Sequence, residues 1–553
     1  MESNRRLGAL ALLAGVLVCA CAPAPRRMPQ STDIDEAGFR QYVARLASDE
    51  FEGRRPGTIG ETKTVELLTA RFQALGLKPG NGASYLQAVP MIEVLPAADA
   101  ALSVSGHAHL ETLRYAKDMV IWSKRPEALA SLKRSDLVFA GYGIVAPEFA
   151  WNDYAGIDVH GKTVLVLTND PGHGTHDPHI FHGDSMTSYG RWVYKVQEAA
   201  RQGASGILLI HDAGASGLGW QAVVNSFTGP QLDEASPEPA GHTLIEGWLT
   251  GQAARALFAQ AGLDFAALSL AAASPGFKAV AMGLGVDAEV HSSIRTLTSS
   301  NIIAVLPGRT HRREYLIYMA HWDHLGRAAA AAGGALYPGA VDNASGTAGL
   351  LMLAQAFART RPAPERTLVF LAFTGGESGL LGSDWYAAHP PFPLSDTVAV
   401  LNLDALRIGG PTRDVTVFGY GQSELDGFIR DAAALQGREL HPDPTPEKGL
   451  YFRSDHFSFA KRGVPVVYAK GGIDDSARGP AYGLALIEDY DAHRYRQPGD
   501  TYTADWDVRG TLEDLRLYYS VGLRLSQTRR FPNWYPTSEF RKIRDRSREG
   551  SSD

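Results

Sequence analysis

The chain has 553 residues, of which 44% are hydrophobic, 20% charged and 9% aromatic. At roughly 150 residues per domain this excludes one small module, and the balance excludes a disordered or collagen-like chain. With 53 Lys and Arg against 60 Asp and Glu, the net charge of −7 gives no general attraction to phosphate backbones, so no nucleic-acid partner is expected.

The chain opens with Arg5-Arg6, an apolar run from Leu7 to Val18, and Cys19-Ala20-Cys21. A basic start and a short apolar run predict a signal peptide over 1–20, below the ~20 residues a bilayer span needs. Val18-Cys19-Ala20-Cys21 resembles a lipoprotein box, which makes Cys21 the expected lipidated N-terminus; a cleaved signal without lipid is the alternative. The expectation is an exported, membrane-anchored lipoprotein facing the cell envelope or periplasm. Cys19 and Cys21 are the two cysteines of the chain, so the body beyond them has no disulfide, thiolate site or thiol nucleophile.

Residues 21–34 are polar and Pro-rich and read as a tether. Helical spacing follows over Glu36–Leu46 and Thr62–Leu75, flanking the turn-rich Glu52-Gly53-Arg54-Arg55-Pro56-Gly57. From Asp136 short β-rich runs appear, Leu137–Tyr142 and Thr163–Leu167, then a helix over Val193–Gln202, a strand over Gly206–Ile210, and strand-rich segments to about Val290. This predicts an insert over 131–290 between two parts of a larger domain, 35–130 and 291–530. In the second part four uninterrupted apolar runs, Tyr315–Ala320, Thr367–Phe373, Val398–Leu403 and Val464–Ala469, predict strands buried on both faces. Thr347–Ala358 predicts a covering helix. The fold class is therefore α/β, a central, mostly parallel mixed sheet flanked by helices with a β-rich insert. The charged end, 531–553 and above all Arg541–Asp553, reads as a frayed tail.

Polar residues follow the predicted strands: His321-Trp322-Asp323-His324 after the first, Glu377 after the second and Asp404 closing the third, with Asp342 at the turn before the Thr347–Ala358 helix. The carboxyl edge of such a sheet is where ligands bind. One His with three carboxylates, His321, Asp342, Glu377 and Asp404, is an O/N donor set suited to zinc, and Asp342 is placed to bridge two ions. His321-x-Asp323 fits a ligand imidazole oriented by a carboxylate. The run His173-Gly174-Thr175-His176-Asp177-Pro178-His179-Ile180-Phe181-His182 reads as a solvated loop, since Gly and Pro do not fix ligand geometry. No Gly-x-Ser-x-Gly elbow accompanies His456, and Gly419-Tyr420-Gly421 reads as a turn.

Ala320–Gly326, Gly339–Gly346, Phe373–Ser383 and Asn402-Leu403-Asp404 resemble the metal-site motifs of co-catalytic zinc aminopeptidases, the superfamily of bacterial leucyl-type aminopeptidases, glutamate carboxypeptidase and the transferrin receptor. Leu46–Gly57 and Phe452–Phe457 are similar to further segments of that family, and Asp136–Pro147 resembles the start of its inserted protease-associated (PA) domain. The resemblance covers about 35–525. It implies His321, Asp342 and Asp404 as ligands of one ion, with Asp342 bridging and Glu377 serving a second, and the hydrolysis of N-terminal residues from peptides.

Two positions depart from that pattern. Gly376 stands where the family carries its general base, and Arg496, within Tyr495-Arg496-Gln497-Pro498-Gly499-Asp500, stands where it carries its last ligand histidine. Losing a base costs ~10²–10⁴ in rate. A guanidinium repels a metal, so one divalent ion rather than two is expected, with Arg496 paired to Glu377. His493 as a substitute ligand and Glu377 as a base beside a single ion remain alternatives, with Asp323 and Glu377 as the catalytic candidates. Restoring Gly376→Glu with Arg496→His is expected to raise activity. The contrasting expectation is a pseudopeptidase that binds peptides or partners.

Overall fold

The structure is a computed structural model and describes residues 33–106, 109–235, 241–328 and 334–549. The signal segment, Cys19, Cys21 and the tether up to residue 32 lie outside the described residues. All eight residues of the strand Arg366–Phe373 are buried. Leu368, Phe370 and Ala372 enter one apolar cluster, while Val369, Leu371 and Phe373 enter another. A strand turns successive side chains to opposite faces, so a strand covered on both sides is apolar along its run, here from Leu368 to Phe373. The helices Gly346–Arg359 and Arg509–Gln527 supply the first cluster, and Leu381–Ala388 and His456–Ala460 the second. Each fully buried Leu or Phe in these layers contributes about 1.5–3 kcal/mol.

His311–His321 runs parallel to Arg366–Phe373 on one side and to Thr397–Asn402 on the other, and Val466–Gly471 continues parallel to the latter. Their carboxyl ends therefore meet along one rim. The strand Val280–Leu306 pairs antiparallel with Arg366–Phe373 and makes the sheet mixed.

That strand is 27 residues long and serves two sheets. Its second half pairs with Leu86–Pro96, and its first half with Ala101–Gly106 and Leu129–Phe139 in the insert. The insert's parallel strands Thr163–Leu167, Gly206–His211 and Ile245–Thr250 are joined at their edge by Met119–Trp122. The strands Ala101–Gly106, His109–Leu113 and Met119–Trp122, in the stretch read above as the first segment, thus pair within the insert's sheet, and the chain crosses over in the turn after Pro96. Between Ile210 and Val290, where the sequence reads as strand-rich, four helices intervene: Ala213–Ser216, Trp220–Phe227, Gly251–Gln260 and Phe265–Ala272. Asp212, Thr250 and Asp264 cap three of them by accepting a backbone N–H.

The expected frayed tail is a helix, Arg541–Glu549. Arg544, 1% exposed, donates to the carbonyls of Leu394 and Thr397. A charged sequence masks this docking because arginines bonded to carbonyls, Arg548 to that of Ser395 among them, rather than an apolar stripe, make it.

Candidate metal centre

The rim gathers the residues that close each strand. His321 ends its strand, Asp404 follows Thr397–Asn402, and Asp342 lies in the tight turn Ala340–Ser345 before the helix Gly346–Arg359. Asn343 ties these pieces together. Its Nδ2 donates to the carbonyls of His321 and Leu403, and its Oδ1 accepts from the N–H of Gly346 and Ala405. Asp500 accepts from the N–H of Val341 and Asp342, so the segment carrying Arg496 also fixes the Asp342 turn. Gly339, at φ 56°, leaves room for His324: a Cβ there would lie 2.4 Å from the His324 Cγ.

His321 Nε2 lies 3.3 Å from Asp342 Oδ1 and 3.5 Å from Asp404 Oδ1. Ligand bonds of 2.0–2.1 Å in a tetrahedron place donors about 3.3 Å apart, so both distances from His321 suit a shared zinc ion, with all three donor atoms of the trio within 4.8 Å of one another. Its electrostatics agree. Burial pushes the His321 imidazole down, but the Asp323, Asp342 and Asp404 carboxylates outweigh it and hold it well above the usual histidine range. Burial and the Glu377 carboxylate push Asp342 up, whereas at Asp404 the pull of His321 exceeds the effect of burial and holds the carboxyl down. A pocket that drives a proton onto its histidine is a pocket short of positive charge.

His324, Asp342 and Glu377 form a second group of potential donors. Here the fit fails. His324 Nδ1 lies 2.6 Å from Glu377 Oε1, a hydrogen bond rather than the edge of a coordination polyhedron, and Arg496 Nη2 donates to Glu377 Oε2 at 2.5 Å. Burial pushes the Glu377 carboxyl up, but Arg496 and His324 hold it well below the carboxylate range. A dication about 4 Å from this guanidinium would meet a repulsion of roughly 8 kcal/mol at an effective dielectric constant of 20. Arg496, with φ 54°, is held from the insert: Nη1 donates to Ser226 Oγ at 3.0 Å, and its carbonyl accepts from Asn225 Nδ2 at 2.8 Å.

Asp323 does not reach the trio through solvent. It is buried behind His321, with its Oδ1 3.5 Å from His321 Nδ1 and accepting from the N–H of Gly376. Gly376 itself packs under the imidazole, where a Cβ would lie 2.6 Å from His321 Cγ. His493 lies apart from both groups, exposed at the end of the helix Pro480–His493 and paired with Asp489. In the histidine run, His176 pairs with Asp184 at 2.5 Å on the surface. His324, Asn343, Asp500 and Arg54 were not singled out from the sequence as parts of a site, although all four fall within the motifs quoted above.

A helix-flanked mixed sheet thus carries an N/O donor cluster on its carboxyl rim. Residues 301–520 match the model of Peptidase family M28. A probable zinc metalloprotease of Pyrenophora tritici-repentis (strain Pt-1C-BFP) is 37% identical over 211 residues, spanning 37% of this chain and 47% of that protein. Aminopeptidase NAALADL1 of Mus musculus is 30% identical over 141 residues, 24% of this chain and 17% of that one. The chain thus matches less than half the length of these relatives. The aminopeptidase from Aneurinibacillus sp. strain AM-1 superposes with a TM-score of 0.53 at 19% identity, covering 90% of this chain and 95% of the other. That likeness is one of fold, and it extends over the insert.

Proposed function

We propose that the protein is a metallo-aminopeptidase-like hydrolase that holds a single zinc ion at His321, Asp342 and Asp404 and releases N-terminal residues from peptides slowly. The observation that carries this reading is the approach of the Asp342 and Asp404 carboxylates to His321 Nε2, at 3.3 and 3.5 Å, beside a second group closed by Arg496. When bound, zinc supplies Lewis-acid chemistry at the scissile carbonyl. Asp323 orients His321, and Glu377, tied to Arg496 and His324, is a weak proton acceptor. The test is elemental analysis of the purified protein after dialysis against a weak chelator, paired with a panel of peptide substrates. One zinc per chain and slow turnover are expected; two zinc ions, or none, would sink the reading.

The closed approach at Gly376, which lacks any acceptor side chain, favours a second reading, a pseudopeptidase that retains peptide or partner binding. Peptide affinity without turnover at one zinc per chain would select it.

We further propose that the chain is exported and anchored by lipid on Cys21, with the insert acting as a PA-like domain. Among the described residues no helix is long and apolar enough to cross a membrane. A Cys21→Ser variant is expected to leave the membrane fraction, and full retention would refute the anchor.

A further inference from the structure

The second donor group is closed by a residue from each of two units. Arg496 comes from the peptidase part, and its partners Asn225 and Ser226 come from the insert helix Trp220–Phe227. That helix is not a loose flap. Phe227 stacks on Trp122 with ring centroids 4.3 Å apart and lies edge-on to Trp192 at 5.1 Å. Gln221 Nε2 donates to Asn225 Oδ1 at 2.9 Å, which leaves the Asn225 amide N–H to face the Arg496 carbonyl. The guanidinium, 15% exposed, is thus gripped by Glu377 on one side and Ser226 on the other.

Those two contacts leave donors to spare. A guanidinium carries five N–H groups. Arg496 Nε is buried and has no hydrogen-bond partner among the described residues, and the side chain lines the crevice both toward the insert and toward His321, Asp342 and Asp404. Nη1 and Nη2 each spend one N–H, on Ser226 and Glu377 respectively, so a fixed cation lining the cleft beside a metal-type cluster keeps a further N–H on each to receive negative charge on an oxygen atom.

Resting on the single-zinc reading, we propose that Arg496, positioned by Asn225 and Ser226 of the insert, replaces a second metal ion as the cation of the site and donates to the carbonyl oxygen of the bound peptide. Arg496 is then the catalytic residue, and Asn225 and Ser226 are positioning residues. The insert is part of the active site rather than an appended module.

The test uses the purified full-length protein, its Arg496→His, Asn225→Ala/Ser226→Ala and Ser226→Thr variants, and alanyl-, leucyl- and glutamyl-p-nitroanilide as probes. Arg496→His should take up one more zinc per chain than the wild type; an unchanged count overturns the proposal, because the arginine would not then be what excludes the ion. The double variant should keep its zinc and its KM while kcat falls roughly 10-fold to 100-fold, the cost of misplacing a catalytic group. Ser226→Thr, which keeps the hydroxyl, should retain most of kcat. An unchanged kcat, or a loss that appears in KM alone, overturns the proposal. Should the double variant fail to fold, Ser226→Ala alone carries the same expectation. A wild type that holds one zinc without turnover removes the hydrolase reading but not this one, and the affinity for a leucyl peptide, measured by calorimetry, then takes the place of kcat. A wild type without zinc defeats the single-zinc reading, while the Arg496→His count still decides the present one.

Discussion

Arg496 Nη2 donates to Glu377 Oε2 at 2.5 Å, and His324 Nδ1 stands 2.6 Å from the other oxygen of the same carboxylate. Glu377 is 5% exposed, so its charge has these two partners in place of water. Breaking a buried pair by removing one partner costs about 3–5 kcal/mol, because the other charge stays buried. In the presence of chelator, Arg496→Ala is expected to lower the free energy of unfolding read from urea titration by that amount. Replacing both partners, Arg496→Met with Glu377→Leu, should recover most of the loss. A double variant as unstable as the single would show that the loss comes from packing.

Gly376 lies against His321, and a Cβ there would sit 2.6 Å from Cγ and 2.7 Å from Cβ of the imidazole. The sequence suggests that restoring a glutamate would restore a base. That expectation concerns the change paired with Arg496→His; for Gly376→Glu alone the geometry adds a further obstacle, since the new side chain must push aside the His321 imidazole. Gly376→Glu is expected to lose zinc on dialysis and to gain no turnover. Retention of zinc with a rate increase of about 10²-fold or more, the scale of a recovered general base, would reverse the conclusion.

His242 joins the strand Gln231–Glu234 to the strand Ile245–Thr250 through Asp233 at 2.5 Å and Glu246 at 2.6 Å. Burial pushes its imidazole down, but the Glu246 and Asp233 carboxylates raise it to about 9. A histidine raised above its unfolded value near 6.5 contributes stability that is complete below that pH and is lost as the pH rises through 9. The gap corresponds to roughly 3 kcal/mol. The melting temperature should therefore fall between pH 7 and pH 10, and His242→Gln should melt lower at pH 6 and show a flatter profile. Parallel profiles for the two proteins would remove His242 as the cause.

The rim was legible because its chemistry is local. His321 and Asp404 directly follow short apolar runs, and runs of that length rich in Val, Ile and Leu read as strands covered on both faces. The closure of the second group was half legible: the arginine could be read, and its pairing with Glu377 inferred from charge, but not the grip of Asn225 and Ser226, which stand 271 and 270 residues away in the chain. The partners of the strands before residue 130 were illegible for a related reason. The strands Ala101–Gly106 and Met119–Trp122 carry no pattern that says which of two sheets they join, and pairing with Val280–Leu306 and Ile245–Thr250 decides it. The docked terminal helix was hidden because arginine-to-carbonyl bonds leave no hydrophobic periodicity.

Arg54 shows how a residue outside the donor groups sets their geometry. Its Nε donates to the Trp322 carbonyl, Nη1 to the carbonyls of Leu46 and Pro338, and Nη2 to that of Gly339, all between 2.7 and 2.9 Å. These bonds clamp the segment after His321 to the turn that carries Asp342. The side chain is fully buried, and burial lowers it to about 10 against the pull of Asp500, Asp323, Asp342 and Glu377, so it stays cationic at neutral pH. Lysine has no planar fork and can satisfy at most part of this set, leaving carbonyls unpaired at about 1–3 kcal/mol each. Arg54→Lys is therefore expected to destabilise the fold and, by loosening the spacing of His321 and Asp342, to weaken zinc binding about 10-fold to 100-fold. Competition against a chromophoric chelator reads the affinity, and urea unfolding reads the stability. Lower stability with unchanged zinc affinity would confine Arg54 to packing and break the proposed link between this clamp and the metal centre.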